Sequence, residues 1–196
     1  MAGIRSFIAI DLPTKIQTRL DKVSTQLQER LDDVPIRWVP VENIHLTLKF
    51  LGDVSESNLE VLKDVLRTVV ANYDKFEISI GGMGAFPQAR RPRVIWIGIE
   101  SPPELASIQR NLESETARLG YARERRPFSP HLTLERVSRG AGARDVRKVA
   151  EVLNSFKVGF LGVARVEAVR LYRSELQPGG AIYTGLLTAH LDTSPG

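Results

Sequence analysis

The tetrapeptide His-Leu-Thr-Leu occurs twice in this chain, at positions 45–48 and again at positions 131–134. In an extended segment side chains alternate between faces, so His45 and Thr47 project together, as do His131 and Thr133, while the leucines enter the core. Phosphodiester hydrolysis needs one group to take a proton from water and another to protonate the departing oxygen. Imidazole, with an ordinary pKa near 6.5, suits both tasks at neutral pH. Threonine hydroxyls can donate hydrogen bonds to non-bridging oxygens as negative charge shifts onto them. The chain has only three histidines, and two of them share one context, so two unrelated polar strand residues are the weaker explanation. His190, outside any motif and near a polar tail, is read as a surface residue.

A zinc site is the rival chemistry, but catalytic zinc generally takes three protein ligands. By strict alternation Glu135 shares the face of His131 and is the one candidate for a third. The same alternation points Arg136 away from His131, so a role for Arg136 at the site requires the strand to bend or end there.

The elements that must hold these residues follow from periodicity. A short apolar run, Phe7-Ile8-Ala9-Ile10, predicts a strand over 6–11, closed by Pro13. Ile16, Leu20, Val23, Leu27 and Leu31 recur at helical spacing, with Pro13 or Thr14 opening that helix. Further helices are expected over 57–70, 103–119 and 145–156. Strands are expected over 44–51, 76–80, 93–99, 131–134, 158–164, 166–173 and 181–188. A Gly- and Pro-rich loop is expected to span 81–92.

Each half therefore runs helix, His-bearing strand, helix, then strands. This predicts an α+β fold of two pseudo-twofold-related lobes, each an antiparallel sheet flanked by helices, with the active-site cleft between them. The whole of 1–196 is read as one two-lobed domain, with duplicated halves at roughly 14–100 and 103–190. Such a twofold would bring both histidines and both threonines to one cleft.

Composition limits the alternatives. The chain contains no cysteine, which excludes disulfides and thiolate metal sites. No apolar run approaches a membrane span, and the first residues lack a secretory signal, so a cytoplasmic protein is expected. The net charge of +4, with arginines grouped at 90–93, 123–126 and 136–147, favours a phosphate-bearing partner.

The paired His-x-Thr-x motifs resemble the signature of the two-histidine phosphoesterases. Five blocks narrow the likeness to the RNA 2′,3′-cyclic phosphodiesterase family, also called 2′-5′ RNA ligases: 5–13, 38–52, 91–98, 127–134 and 171–176. The resemblance implies metal- and cofactor-free hydrolysis of RNA 2′,3′-cyclic phosphate ends to 2′-phosphomonoesters. It implies His45 as proton donor and His131 as proton acceptor, with Thr47, Thr133 and Arg136 binding the phosphate. Phe7 and Phe50, in matching blocks, become candidates to stack on a base, against the usual fate of strand aromatics as core. Ser129, where members often carry arginine, and Glu135, where a small residue is common, depart from the pattern. The expected partner is RNA with such ends, and the expected state a monomer. Alternatives are a 2′-5′ RNA ligase, a phosphodiesterase of small cyclic nucleotides, or a non-catalytic RNA-binding module.

Overall fold

Residues 3–178 and 180–192 are described by the computed structural model. In chain order the strands are β1 (Ile4–Ile10), β2 (Ile36–Trp38), β3 (Leu46–Val54), β4 (Phe76–Phe86), β5 (Val94–Glu100), β6 (His131–Val137), β7 (Phe160–Val166), β8 (Ala168–Gln177) and β9 (Gly180–His190). The helices are α1 (Thr14–Arg30), α2 (Glu56–Val70), α3 (Pro103–Arg118) and α4 (Ala143–Ser155). No helix among the described residues is long and apolar enough to cross a membrane.

One curled antiparallel sheet runs β7-β4-β5-β6-β3-β1-β8-β9, with β2 added beside β6. Its middle is the junction of the two motif strands, where Leu46 of β3 pairs with Leu132 of β6. Outward from that pair the two sides match residue by residue. Ile10, Ala9, Ile8 and Phe7 face Leu46, Thr47, Lys49 and Phe50, just as Ile97, Trp96, Ile95 and Val94 face Leu132, Thr133, Glu135 and Arg136. The order β1-α1-β3-α2-β4 is thus matched in its pairings by β5-α3-β6-α4-β8. Their last strands are exchanged, since β4 pairs with β5 and β8 with β1. Each lobe therefore draws strands from both halves of the sequence.

The helices form because their apolar residues recur every three to four positions, which gives each a single face to bury. Ile16, Leu20 and Leu27 of α1, Leu62 and Leu66 of α2, and Leu105, Ile108 and Leu112 of α3 are all buried in one apolar cluster. A second, smaller cluster joins Val149 and Leu153 of α4 to Ile95 and Val137. Truncating a fully buried member such as Leu20 to alanine costs about 2–5 kcal/mol.

Two departures from the sequence-based expectation matter for the site. Strand β4 runs on through Phe86, where glycines 81, 82 and 84 suggested a loop. The ladder to β5 overrides their weak strand propensity, and Gly84 is needed there: a Cβ would lie 2.4 Å from the Trp96 indole, which crosses the strand at that point. The short β2 was not foreseen. Pro35 and Pro40 bracket too few residues for a periodic signal, and pairing with β6 alone defines it.

Candidate active site

Both motifs lie on the concave face of the central strands. The antiparallel sense about Leu46 and Leu132 directs His45 toward Thr133 and His131 toward Thr47. Leu46, Leu48, Leu132 and Leu134 are buried on the opposite, helix-covered face, while the two histidines and two threonines are half-buried. Neither threonine hydroxyl makes a hydrogen bond within the protein among the described residues, so both remain available to a ligand.

The two imidazoles are held in the same way. His45 Nδ1 lies 2.8 Å from the Asn43 carbonyl oxygen, and His131 Nδ1 lies 2.7 Å from that of Ser129, each two residues upstream. A carbonyl only accepts, so each Nδ1 carries the hydrogen and each Nε2 is left for proton transfer. Their surroundings differ. Phe7 stacks on His45 at 4.7 Å between ring centroids and Tyr183 meets it edge-on at 5.3 Å. His131 has Phe86 edge-on at 4.9 Å and Trp96 tilted at 6.3 Å. Burial lowers the His45 pKa below its ordinary value, opposed by the bond to the Asn43 carbonyl and by the charge of Asp11. Asp11 is itself held by Arg170 at 2.8 Å and accepts from the Tyr172 hydroxyl at 2.6 Å. Burial and that bond to Asp11 push the Tyr172 hydroxyl up to about 12.

Strict alternation fails on both motif strands, and for one reason. Each carries a bulge at its second leucine: Ala9 and Ile8 face Thr47 and Lys49, skipping Leu48, and Trp96 and Ile95 face Thr133 and Glu135, skipping Leu134. The residue after that leucine therefore enters the core, and the next one returns to the concave face. Glu135 is fully buried on the helix side, so the expectation that it shares the face of His131 is corrected, and with it the third-ligand role. Among the described residues no group of three His, Asp or Glu side chains is placed to hold a metal ion. The same bulge turns Arg136 onto the concave face, where its charge is felt by the Tyr183 hydroxyl beside His45.

Phe7 and Phe50 are brought together, 6.2 Å apart, yet differ in exposure: Phe7 is 3% exposed, packed against His45 and Tyr172, whereas Phe50 is 66% exposed. His190 is exposed at the end of β9, and the polar tail at 193–196 lies outside the described residues. Sequence reasoning missed Asp11, Phe86, Trp96, Tyr172 and Tyr183 as walls of the site. Asp11, Trp96 and Tyr172 fall inside blocks that carry the resemblance, where nothing local marks them as site residues. Phe86 and Tyr183 gave no local signal, since they reach the histidines only through strand pairing.

Residues 12–177 match the family model described as 2′-5′ RNA ligase superfamily. A curated protein of Methanothermobacter thermautotrophicus named RNA 2′,3′-cyclic phosphodiesterase is 39% identical over 183 residues, covering 93% of this chain and 96% of its own. Among solved structures, TT0787 of Thermus thermophilus superposes with a TM-score of 0.81 at 26% identity, covering 97% of this chain and 99% of its own. Escherichia coli LigT complexed with 3′-AMP superposes with a TM-score of 0.77 at 28% identity, with the same coverage.

Proposed function

Since the chain belongs to the 2′-5′ RNA ligase superfamily, we propose that it is a hydrolase that opens 2′,3′-cyclic phosphate ends of RNA to 2′-phosphomonoesters. The observation that carries this reading is the reciprocal pair of His-x-Thr segments on adjacent strands, with both Nδ1–H groups bound to backbone carbonyls and neither Nε2 bonded among the described residues.

The cyclic phosphate sits between the strands, its non-bridging oxygens accepting from Thr47 and Thr133 and facing the charge of Arg136. His131 takes a proton from the attacking water through Nε2. The water oxygen bonds to phosphorus, the bond from phosphorus to the 3′ oxygen breaks, and His45 delivers its Nε2 proton to that oxygen. Burial disfavours imidazolium at His45 in the free protein, but the seated phosphate anion and Asp11 both favour it, so substrate binding arms the acid. Hydroxyl donors aimed at the non-bridging oxygens gain strength as charge builds there.

In this reading Phe50 offers its exposed ring to the terminal base, while Phe7, turned onto His45, steadies the acid. The repeated units form a single two-lobed domain, which supplies both histidines from one chain and so needs no second copy. The enzyme is a monomer working on RNA ends in the cytoplasm. The test is incubation with a short RNA bearing a terminal 2′,3′-cyclic phosphate, followed by location of the phosphate in the product. A 2′-phosphate is expected; a 3′-phosphate, or no turnover, contradicts the reading.

A further inference from the structure

Strand β2 adds to β6 in register, with Ile36 opposite Val137, Arg37 opposite Arg136 and Trp38 opposite Glu135. Directly opposed residues of antiparallel strands share a face. Ile36 and Trp38 pack on the apolar clusters beneath the sheet, so Arg37 stands on the concave face beside Arg136. Both arginines are exposed, and neither makes an ion pair or side-chain hydrogen bond among the described residues. Like charges directly opposed across a ladder are destabilising, and no carboxylate among the described residues pairs with either arginine. It is an arrangement that an anion would complete.

The position of the pair limits which anion. Thr133 and Arg136 lie on one face of β6 with the bulge between them, so the arginine row stands roughly 7–10 Å from the threonine, along the cleft floor. A long arginine side chain spans that gap, so Arg136 can reach back to the phosphate held between the two motifs, which leaves Arg37 for the next phosphate of an extended RNA strand. On the other side of the pseudo-twofold the place of Arg136 is taken by the exposed ring of Phe50. The cleft therefore has an aromatic end and a cationic end.

We propose that Arg37, standing beside Arg136, seats the internal phosphodiester next to the cyclic end, so that this residue favours an RNA chain terminus over a cyclic mononucleotide. The assignment rests on the proposed function and adds a specificity-determining residue to that same site. Arginine suits the task because its planar fork meets two phosphate oxygens at once.

The test compares wild type, Arg37→Ala and Arg37→Lys on a 2′,3′-cyclic mononucleotide and on a dinucleotide ending in a 2′,3′-cyclic phosphate, which has one internal phosphodiester. Turnover is measured, and the Kd of each substrate is measured in parallel with the double variant His45→Ala/His131→Ala as host. Arg37→Ala is expected to weaken kcat/KM for the dinucleotide roughly tenfold, through KM, as a lost charged hydrogen bond does. Its effect on the mononucleotide should stay within about twofold, and Arg37→Lys should recover part of the loss. The slope of log Kd against log salt for the dinucleotide should shrink by about 0.7 in Arg37→Ala. Equal losses on both substrates, or no loss on either, would overturn the assignment while leaving the proposed function standing. A wild-type protein that neither turns over nor binds either substrate would overturn both.

Discussion

The two motif strands begin with the same four residues and then diverge, Lys49-Phe50 after the first and Glu135-Arg136 after the second. Because each is bulged at its second leucine, both continuations are sorted alike, one residue into the core and one onto the concave face. On β3 the buried ammonium of Lys49 is answered: it meets Glu113 of α3 at 2.7 Å and donates to the Ala122 carbonyl at 2.6 Å. Glu113 in turn accepts from the backbone of Glu124 at 3.1 Å. This ties the His45 strand to the loop that leads toward His131. On β6 the carboxylate of Glu135 is equally buried and neither oxygen has a hydrogen-bond partner among the described residues, and burial pushes its pKa up to about 8. Duplicated backbone geometry fixes where a residue goes, and each position must then find its own chemistry. The paired histidines and threonines kept their symmetry; their neighbours did not.

The largest effect should come from the residues the halves share. His45→Ala and His131→Ala are each expected to lower turnover by about 10²–10⁴, the usual worth of a positioned acid or base. A wild-type rate in either variant, with an unchanged circular dichroism spectrum, would break the equivalence of the two motifs.

Next come the residues in which the halves differ. Lys49→Met leaves Glu113 buried without its cation and should cost about 3–5 kcal/mol in chemical denaturation. The double variant Lys49→Met/Glu113→Leu should regain much of that, since replacing both members of a buried pair is far less costly than orphaning one. Equal destabilisation by the single and double variants would show that the pair is not coupled.

Glu135→Gln should act in the opposite direction. A carboxyl whose folded pKa is raised from 4.5 to about 8 is favourable while protonated, so the wild type loses stability as pH rises from about 4.5 toward 8. The advantage of the glutamine variant should be absent at pH 4, widen through that window by at most about 1.4 kcal/mol per pH unit, and level off above it. A difference in Tm that does not vary between pH 4 and 9 would show that Glu135 finds a partner for its charge.

Much of this organisation was legible in the sequence where a signal is local and repeated. The four helices follow from apolar residues at three- and four-residue spacing, and the two matching His-x-Thr strands from a duplicated tetrapeptide. What escaped depends on pairing between distant segments. Alternation put Glu135 on the wrong face because a bulge is a property of two strands: the skip of Leu134 is visible only against Ile95 and Trp96 of β5. Gly84 of β4 reads as part of a loop because the indole it accommodates comes from the next strand. Tyr183 is 138 residues from His45 and reaches it through β9, β8 and β1.

The smallest effect expected is from chelation. Glu135 lies beneath the sheet and no third ligand accompanies the histidines among the described residues, so excess EDTA should leave turnover within about twofold of the untreated rate. Loss of activity restored by zinc or manganese would replace the acid–base account of the two halves with a metal-based one.

The roles of the two histidines are separated most directly by a substrate whose 3′-bridging oxygen is replaced by sulfur. A thiolate leaves with little help, free thiols having a pKa near 8.5, so a proton donor matters far less for it than for an alkoxide. His45→Ala and His131→Ala are each assayed on the normal cyclic phosphate end and on the sulfur analogue. With His45 as the acid and His131 as the base, the analogue should restore most of the lost rate to His45→Ala and none to His131→Ala. Rescue of His131→Ala alone would reverse the assignment, and rescue of neither would contradict an acid–base division between the two motifs.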